Sequence, residues 1–525
     1  MVVKDRLDIE GLLDKFSLLS PYYVKLFSML VFAGITNAFC SLNYVFAVSD
    51  TKYRCEYPGC EGTDLLQKLN VSLEENRCHR FPFINDTTTC SLDNFDKSRV
   101  VDCEEWVYQD MNTFVGELNL GCEDWKRTFV GTVHSFGYMI GLLVMGPLAD
   151  KVGRKKLIIV TGITAAFMGL GRSIAESYWL YVAFELIEAM FGDTYSSTFM
   201  LGVEMVTKEN RVSFITLMTA STSIAGILMA LIAWAVPYWR YFLRAIYAPS
   251  LLFLLYAFLL DESLRWLLIT GRRDEAIGII KNAAKMSNVD ISDADLDDLE
   301  CEKGANGTNW ISLLKMTVGS RKLLLRFAAC VCMWITVLFN KYTLLINSVE
   351  LEGNKYINFA LATFSELPAS FAVGFLLKRF KRRIPLIFSF LMTGIFCVGQ
   401  SFVPRGHIII STSLFLIGKF MATISYAVVY LYTSELFPTY TRNTMHALCS
   451  SLGRTATMLA PQTPLLVRYF YGLPSILVGA LSLLAGVVVI MMPDTAEDVL
   501  PDTVQEAEAV GTKEVNDEEN TTTRF

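Results

Sequence analysis

Twice along this chain a long apolar run ends in the same kind of charged pattern, and the spacing between the two copies is nearly constant. Gly146, Asp150, Gly153, Arg154 and Lys155 close one run; Gly374, Lys378, Lys381, Arg382 and Arg383 close another, 228 positions later. Glu204 followed by Arg211 returns as Glu435 followed by Arg442, at an offset of 231. A duplication on this scale restricts the fold to two similar halves. In a membrane protein, repeated halves of this kind accompany a binding site near the bilayer midplane and a rocking, alternating-access motion.

Composition decides that the chain is a membrane protein. Hydrophobic residues make up 53% of the 525 positions and charged residues 19%, too apolar for a soluble chain of this length. Twelve runs approach the roughly 20 apolar residues that cross a bilayer. They are centred on 23–48, 128–148, 157–175, 179–206, 215–236, 245–260, 323–348, 355–378, 384–403, 408–434, 444–467 and 475–492, with 245–260 the shortest. The first run is too long, and too far behind a polar start, for a cleaved signal peptide. The expected fold is therefore an all-α membrane protein, with twelve transmembrane helices in two pseudo-symmetric six-helix halves. The halves occupy 23–260 and 323–492, joined by a polar loop at 261–322 and flanked by termini at 1–22 and 493–525.

Charge sets the orientation. Lys151, Arg154, Lys155 and Lys156 crowd one short loop, and Lys378, Arg379, Lys381, Arg382 and Arg383 crowd another on the same side. The opposite short loops carry isolated cations such as Arg405 and Arg468. The positive-inside rule then places the basic loops and both termini in the cytoplasm. The net charge of −6 comes from the loops and the acidic, aperiodic tail, which reads as disordered. Because the basic residues sit at helix ends without interleaved aromatics, no nucleic-acid partner is expected. The chain shows no phosphate-cradling loop, metal-ligand spacing or nucleophile constellation, so no enzyme activity, cofactor or metal is expected either.

The long segment at 49–127 holds Cys55, Cys60, Cys78, Cys90, Cys103 and Cys122, with glycosylation sequons at Asn70 and Asn85. On the extracellular side an even cysteine set reads as three disulfides, and spacing alone leaves all fifteen pairings open. Sequons at Asn306 and Asn520 fall on the cytoplasmic side and are expected to stay bare. In the second large loop, Arg273–Met286 has helical periodicity, with Ile277, Ile280 and Ala284 on one face, suited to covering the bundle's inner end.

Several motifs together resemble a known family. Gly146-Pro-Leu-Ala-Asp150-Lys-Val-Gly153-Arg154-Lys155 is similar to the loop signature of the major facilitator superfamily, and Asp261-Glu-Ser-Leu-Arg-Trp-Leu267 to the signature after its sixth helix. Cys103-Glu-Glu-Trp-Val-Tyr108, Tyr432-Thr-Ser-Glu435-Leu-Phe-Pro-Thr-Tyr-Thr-Arg442-Asn443, Met492-Pro-Asp-Thr495 and Leu500-Pro-Asp-Thr503 resemble the organic cation, anion and carnitine transporters of solute carrier family 22. Phe199-Met-Leu-Gly-Val-Glu204, Glu366-Leu-Pro-Ala369 and Ile417-Gly-Lys419 look nearest to the cation and carnitine branches. The resemblance spans essentially the whole chain. It implies a plasma-membrane carrier of small organic cations or zwitterions, carnitine-like, with sodium or a proton as a candidate coupling ion. An organic anion carrier, a sugar porter and a non-transporting receptor on the same fold are the rival readings.

Ionisable residues inside spans are costly and mark functional candidates. Glu366 lies about 18 Å, and Lys419 about 16 Å, below the outer ends of their spans at the helical rise. Glu366 is thus a candidate ammonium-binding carboxylate, or half of a structural pair with Lys419. Arg454, mid-span, suits bidentate contact with a substrate carboxylate or neutralises a buried glutamate. In the resembling family, anion and carnitine carriers have arginine at the matching position, whereas cation carriers have aspartate. Glu185 and Glu188 share a helical face, a departure from the family's usual arginine and glycine. They read as a proton- or cation-coupled pair, or as partners of Arg172 or Arg454. His134 reads as a packed core residue. Tyr138, Tyr342, Tyr426 and Tyr430 are candidate aromatic walls for a quaternary ammonium. Asp150, Arg154, Glu204 and Arg211, with Arg382, Arg383, Glu435 and Arg442, are candidate gates at the inner ends of the two halves, holding the cytoplasmic side closed and breaking as the halves rock.

Overall fold

A computed structural model describes residues 9–57, 77–84, 94–96, 98–207, 209–291, 296, 320–437 and 439–495. Cys60, Cys90, the four sequons and the acidic tail beyond 495 lie outside the described residues, as does the side chain of Arg442. Twelve helical spans run through the described chain. Nine of them are long and apolar enough to cross a membrane: Pro21–Ala47, Asp124–Val152, Arg211–Ala235, Trp239–Leu259, Arg321–Glu350, Lys355–Arg379, Arg383–Ser401, Ile408–Leu436 and Leu473–Ile490. The third span, Arg154–Arg172, is closed at both ends by cations. The fourth is broken into Tyr178–Phe191 and Tyr195–Met205. The eleventh begins as Thr439–Arg454 and tightens into 3-10 turns over Thr455–Met458 and Ala460–Arg468. Large apolar side chains such as Phe258, Phe371, Phe375 and Leu484 point outward, as they must where lipid replaces water.

The break in the fourth span is built from side chains. Asn37 Oδ1, from the first span, accepts from the backbone amides of Thr194 and Tyr195, at 2.9 and 3.3 Å. Asp193 caps the second half-helix: it accepts from Tyr195 N at 3.2 Å and from the Ser196 hydroxyl at 2.6 Å. These bonds replace the helical partners that the interrupted backbone loses, which hydrocarbon cannot supply.

The two halves meet on the extracellular side. Thr128 Oγ1 donates to Gln462 Oε1 (2.8 Å), Gln462 Nε2 to Thr132 Oγ1 (2.7 Å), Thr132 Oγ1 to the Met458 carbonyl (3.0 Å) and Ser135 Oγ to the Thr457 carbonyl (3.1 Å). Arg468 pairs with Asp124 across the same seam, and Phe46 packs edge-on against Phe359 at 4.9 Å. Gly131 permits the contact: a Cβ there would fall 2.7 Å from Pro461. Contacts between the halves gather where the second and fifth spans meet the outer part of the eighth and the 3-10 turns of the eleventh, and they thin out toward the basic loops. The chain is closed outside and open toward its basic loops.

The extracellular loop is a small cross-linked unit. Tyr53–Cys55 pairs antiparallel with Trp106–Tyr108, and His79–Arg80 with Val101–Asp102. Disulfides join Cys55 to Cys103 and Cys78 to Cys122. The loop is tied to the bundle through Glu117, which accepts from Trp239 Nε1 at 2.8 Å and Arg240 Nε at 2.7 Å. On the opposite side, the Arg273–Ser287 helix buries Ala276, Ile280, Ala283 and Ala284. Of the face expected from the sequence, Ile280 and Ala284 are buried, and Ile277 is partly buried against the same apolar cluster.

The Cys55–Cys103 bridge spans 48 positions, and loop-closure entropy for a ring of that size is worth up to about 4 kcal/mol. The paired change Cys55→Ser/Cys103→Ser is expected to make the loop protease-sensitive while the bundle stays folded. Limited proteolysis of purified protein, beside a thermal melt, checks this.

Candidate functional site

Three groups of charged side chains occupy different places in the bundle. The first lies in the C-terminal half, facing the space between the halves. Glu366 opens the inner half of the eighth span, because the chain pauses at Ser365, and its Oε1 stands 2.9 Å from Lys419 Nζ. Lys419 is fully buried and also donates to the Lys341 carbonyl at 3.2 Å. Lys341 places its ammonium 4.4 Å from the Tyr426 ring centroid and feels the Glu366 carboxylate. One carboxylate thus sits between two ammonium groups.

Arg454 stands across this space, with its guanidinium 5.0 Å from the Tyr138 ring centroid. Tyr342, Tyr426 and Asp193 make up the rest of its electrostatic surroundings. Among the described residues no carboxylate comes within ion-pair distance of it. The structure therefore gathers Tyr138, Tyr342 and Tyr426 around Arg454 and Lys341. Tyr430, one turn from Tyr426 and sharing Trp334 with it, packs against Trp334 (5.9 Å) and His446 (4.4 Å). Sequence reasoning missed Lys341 and Asp193. Both are ionisable residues in or beside spans, and the rule that singled out Glu366 would have found them.

The second group is enclosed within the N-terminal half. Arg172 is fully buried and pairs through Nη2 with Glu188 Oε2 at 2.8 Å, and through Nη1 with Glu185 Oε2. Asn43 Oδ1 accepts from Arg172 Nη1 at 3.3 Å, and the hydroxyl of Tyr247 meets Nη2. The Tyr247 and Tyr181 rings stack on the guanidinium at 5.0 and 5.6 Å. Glu185 Oε1 is 2.8 Å from His134 Nδ1. Of the two partners weighed for these glutamates, Arg172 rather than Arg454 holds them. With exposures of 0% and 1%, Glu185 and Glu188 face the packed interior of this half. His134 is buried and hydrogen-bonded as expected, with an ionisable partner.

The third group lies at the inner ends of the halves. Arg154 Nη2 bridges Asp150 (3.0 Å) and Glu204 (2.9 Å). Glu262 Oε1 caps the third span by accepting from the amides of Arg154 and Lys155, at 2.9 and 3.0 Å. Gly153, at φ +102°, turns the chain beneath that carboxylate. In the second half Arg382 Nε pairs with Glu435 at 3.2 Å, Thr495 donates to the same carboxylate at 2.6 Å, and Arg383 reaches the Ile490 carbonyl. Each of these pairs joins helices of one half. Arg211 also interacts with a neighbour. Asp150 is 74% exposed against 14% for Glu204. Screening by water makes the Glu204 bond the stronger of Arg154's two carboxylate contacts.

Comparison with known proteins agrees with this architecture. The chain is 29% identical over 527 residues to the "Organic cation transporter protein" of Drosophila melanogaster, covering 94% of this chain and 93% of the relative. It is 27% identical over 515 residues to the human "Organic cation/carnitine transporter 2", covering 93% and 91%. Among solved structures, the D-xylose-proton symporter superposes with a TM-score of 0.59 at 14% identity, over 91% of this chain and 99% of that one. The inward-open xylose transporter XylE from E. coli gives 0.57 at 14% identity, over 92% and 99%. The sequence profile of the Major Facilitator Superfamily matches residues 124–461. Two six-helix halves, paired charge networks at their inner ends and this match establish that the chain belongs to the major facilitator superfamily.

Proposed function

We propose that the chain carries small organic cations or zwitterions across the plasma membrane by alternating access, with both termini in the cytoplasm and a carnitine-like betaine as the favoured substrate class. The supporting observation is the charge arrangement between the halves. Arg454 offers a guanidinium that no described carboxylate occupies, and Glu366 offers a carboxylate held between Lys419 and Lys341. A betaine matches both ends, with its carboxylate on Arg454 and its quaternary ammonium near Glu366 and the face of Tyr426 or Tyr138. The curated relatives named for organic cations and carnitine point the same way. A second reading has specific support: three cations, Lys341, Lys419 and Arg454, outnumber Glu366 and Asp193, which favours a substrate that carries a carboxylate, organic anions included. Removing either member of a buried pair strands the other, so Glu366 also keeps the eighth and tenth spans in register.

Uptake of labelled carnitine, tetraethylammonium and an aromatic carboxylate by cells expressing the chain tests these readings. Carnitine uptake is expected to fall at least tenfold in Glu366→Gln and in Arg454→Ala. Tetraethylammonium uptake that survives or rises in Arg454→Ala would make this a simple cation carrier. Aromatic carboxylate uptake that survives Glu366→Gln would favour the anion reading.

The inner networks are proposed to brace each half during rocking. Glu204→Gln is expected to slow uptake several-fold at unchanged surface abundance, and Asp150→Asn to slow it less, because Asp150 is largely solvated. Surface biotinylation beside initial uptake rates checks the order, and a larger effect from Asp150→Asn would remove the assignment.

A further inference from the structure

The enclosed cluster in the N-terminal half carries an imbalance that structural bracing does not need. Two carboxylates, Glu185 and Glu188, are matched by one guanidinium, Arg172, and all three are at most 1% exposed. Taken with a neutral His134, the cluster holds one uncompensated negative charge in a dry interior, where such a charge is costly. Protonation of His134 cancels it without disturbing the bonds to Arg172, whereas a proton on Glu185 or Glu188 would fall on a carboxylate that Arg172 already holds. His134 Nδ1 bonds to Glu185 Oε1 at 2.8 Å, so in the neutral ring Nδ1–H donates and Nε2 keeps its lone pair. Its side chain, buried like the others at 10% exposure, is the least enclosed of the three, with Arg172 and Glu185 at 0%.

The surrounding groups leave this role to His134. The first span presents Cys40, Asn43 and Tyr44 to the cluster, the third Arg172, the fourth Tyr181 and Glu188, and the sixth Tyr247. Asp193, also felt by His134, is satisfied by Tyr195 N and Ser196 and lies in the field of Arg454. His134, Glu185 and Glu188 offer ligand atoms within 4.8 Å of one another, as a metal site would. Arg172 already occupies both carboxylates, however, so a metal ion or sodium would meet a fixed cation at its ligands. A proton has no such conflict, because it adds on the far side of the ring.

We propose that the His134–Glu185 pair is a proton-binding site through which the carrier senses and uses pH. Water delivers H⁺ to His134 Nε2, no other bond breaks, and the cluster becomes neutral; release restores the single negative charge. The second span carries both His134 and the bonds of Thr132 and Ser135 that close the extracellular side against the eleventh. A change of charge at His134 therefore biases the equilibrium between the two facing states. The coupling to uptake rests on the carrier reading above, whereas proton binding does not.

Two variants fix the cluster in opposite states. Glu185→Gln leaves Glu188 and Arg172 balanced, as in the protonated form. His134→Gln keeps a hydrogen-bond donor toward Glu185 and cannot take the proton, as in the deprotonated form. Purified wild-type protein titrated between about pH 8 and pH 5, the range in which histidines exchange protons, is expected to take up one proton more than either variant, each first shown to be monodisperse. Wild-type carnitine uptake is expected to change up to about tenfold per pH unit, the limit for one linked proton. Uptake by both variants should stay flat across that range while carnitine exchange persists. Titration curves that superimpose, a variant that keeps the wild-type pH profile, or uptake that follows sodium instead of pH would each overturn the site. If carnitine is not carried at all, the carrier reading fails and the titration still decides the proton site.

Discussion

Arg172 illustrates the constraint on which the rest of this structure depends: inside hydrocarbon, a charge or a peptide group persists only if the protein itself satisfies it. From the third span its guanidinium draws on the first, fourth and sixth at once, through Asn43, Glu185, Glu188 and Tyr247. The same requirement explains the fourth span, whose interrupted backbone is repaired by Asn37 and Asp193. It also explains why Lys419, fully buried, lies against Glu366. Polar groups in the bilayer tie helices together because they have no alternative partner.

The two halves use this rule differently. The N-terminal half keeps its charges enclosed, His134 among them. The C-terminal half turns Lys341, Glu366 and Arg454 toward the space between the halves, with aromatic rings between them. At the inner ends, the pairs of Arg154 and Arg382 stay within their own halves. Each half can then move as a body while the contact between them, made on the extracellular side by Thr128, Thr132, Ser135 and Gln462, opens and closes.

Much of this was legible before any coordinates. Apolar run length located the twelve spans, and the repeated charged endings defined two halves. The depth of Glu366 and Lys419 in their spans already brought them to one level. The partner of Glu185 and Glu188 was not legible, since Arg172 and Arg454 were equally plausible from spacing. Helix rotation and neighbour choice decide such pairings, and neither leaves a periodic trace. Lys341 was passed over although it is an ionisable residue within an apolar run, and in the structure its ammonium faces the ring of Tyr426.

By itself the sequence determined class, duplication and the placement of a cross-linked loop after the first span, because these follow from run length and composition. Tertiary structure alone decided which cysteines join, since Cys55 meets Cys103 only once the strands at Tyr53–Cys55 and Trp106–Tyr108 pair. It alone decided which side of the gap is closed, since nothing in the sequence marks Gly131 as a contact with Pro461. And it alone separated the enclosed charges from those facing the gap. Apolar composition marks nine of the twelve spans, and only the rotation of each span about its own axis settles which polar residue finds a partner within its half and which faces the gap.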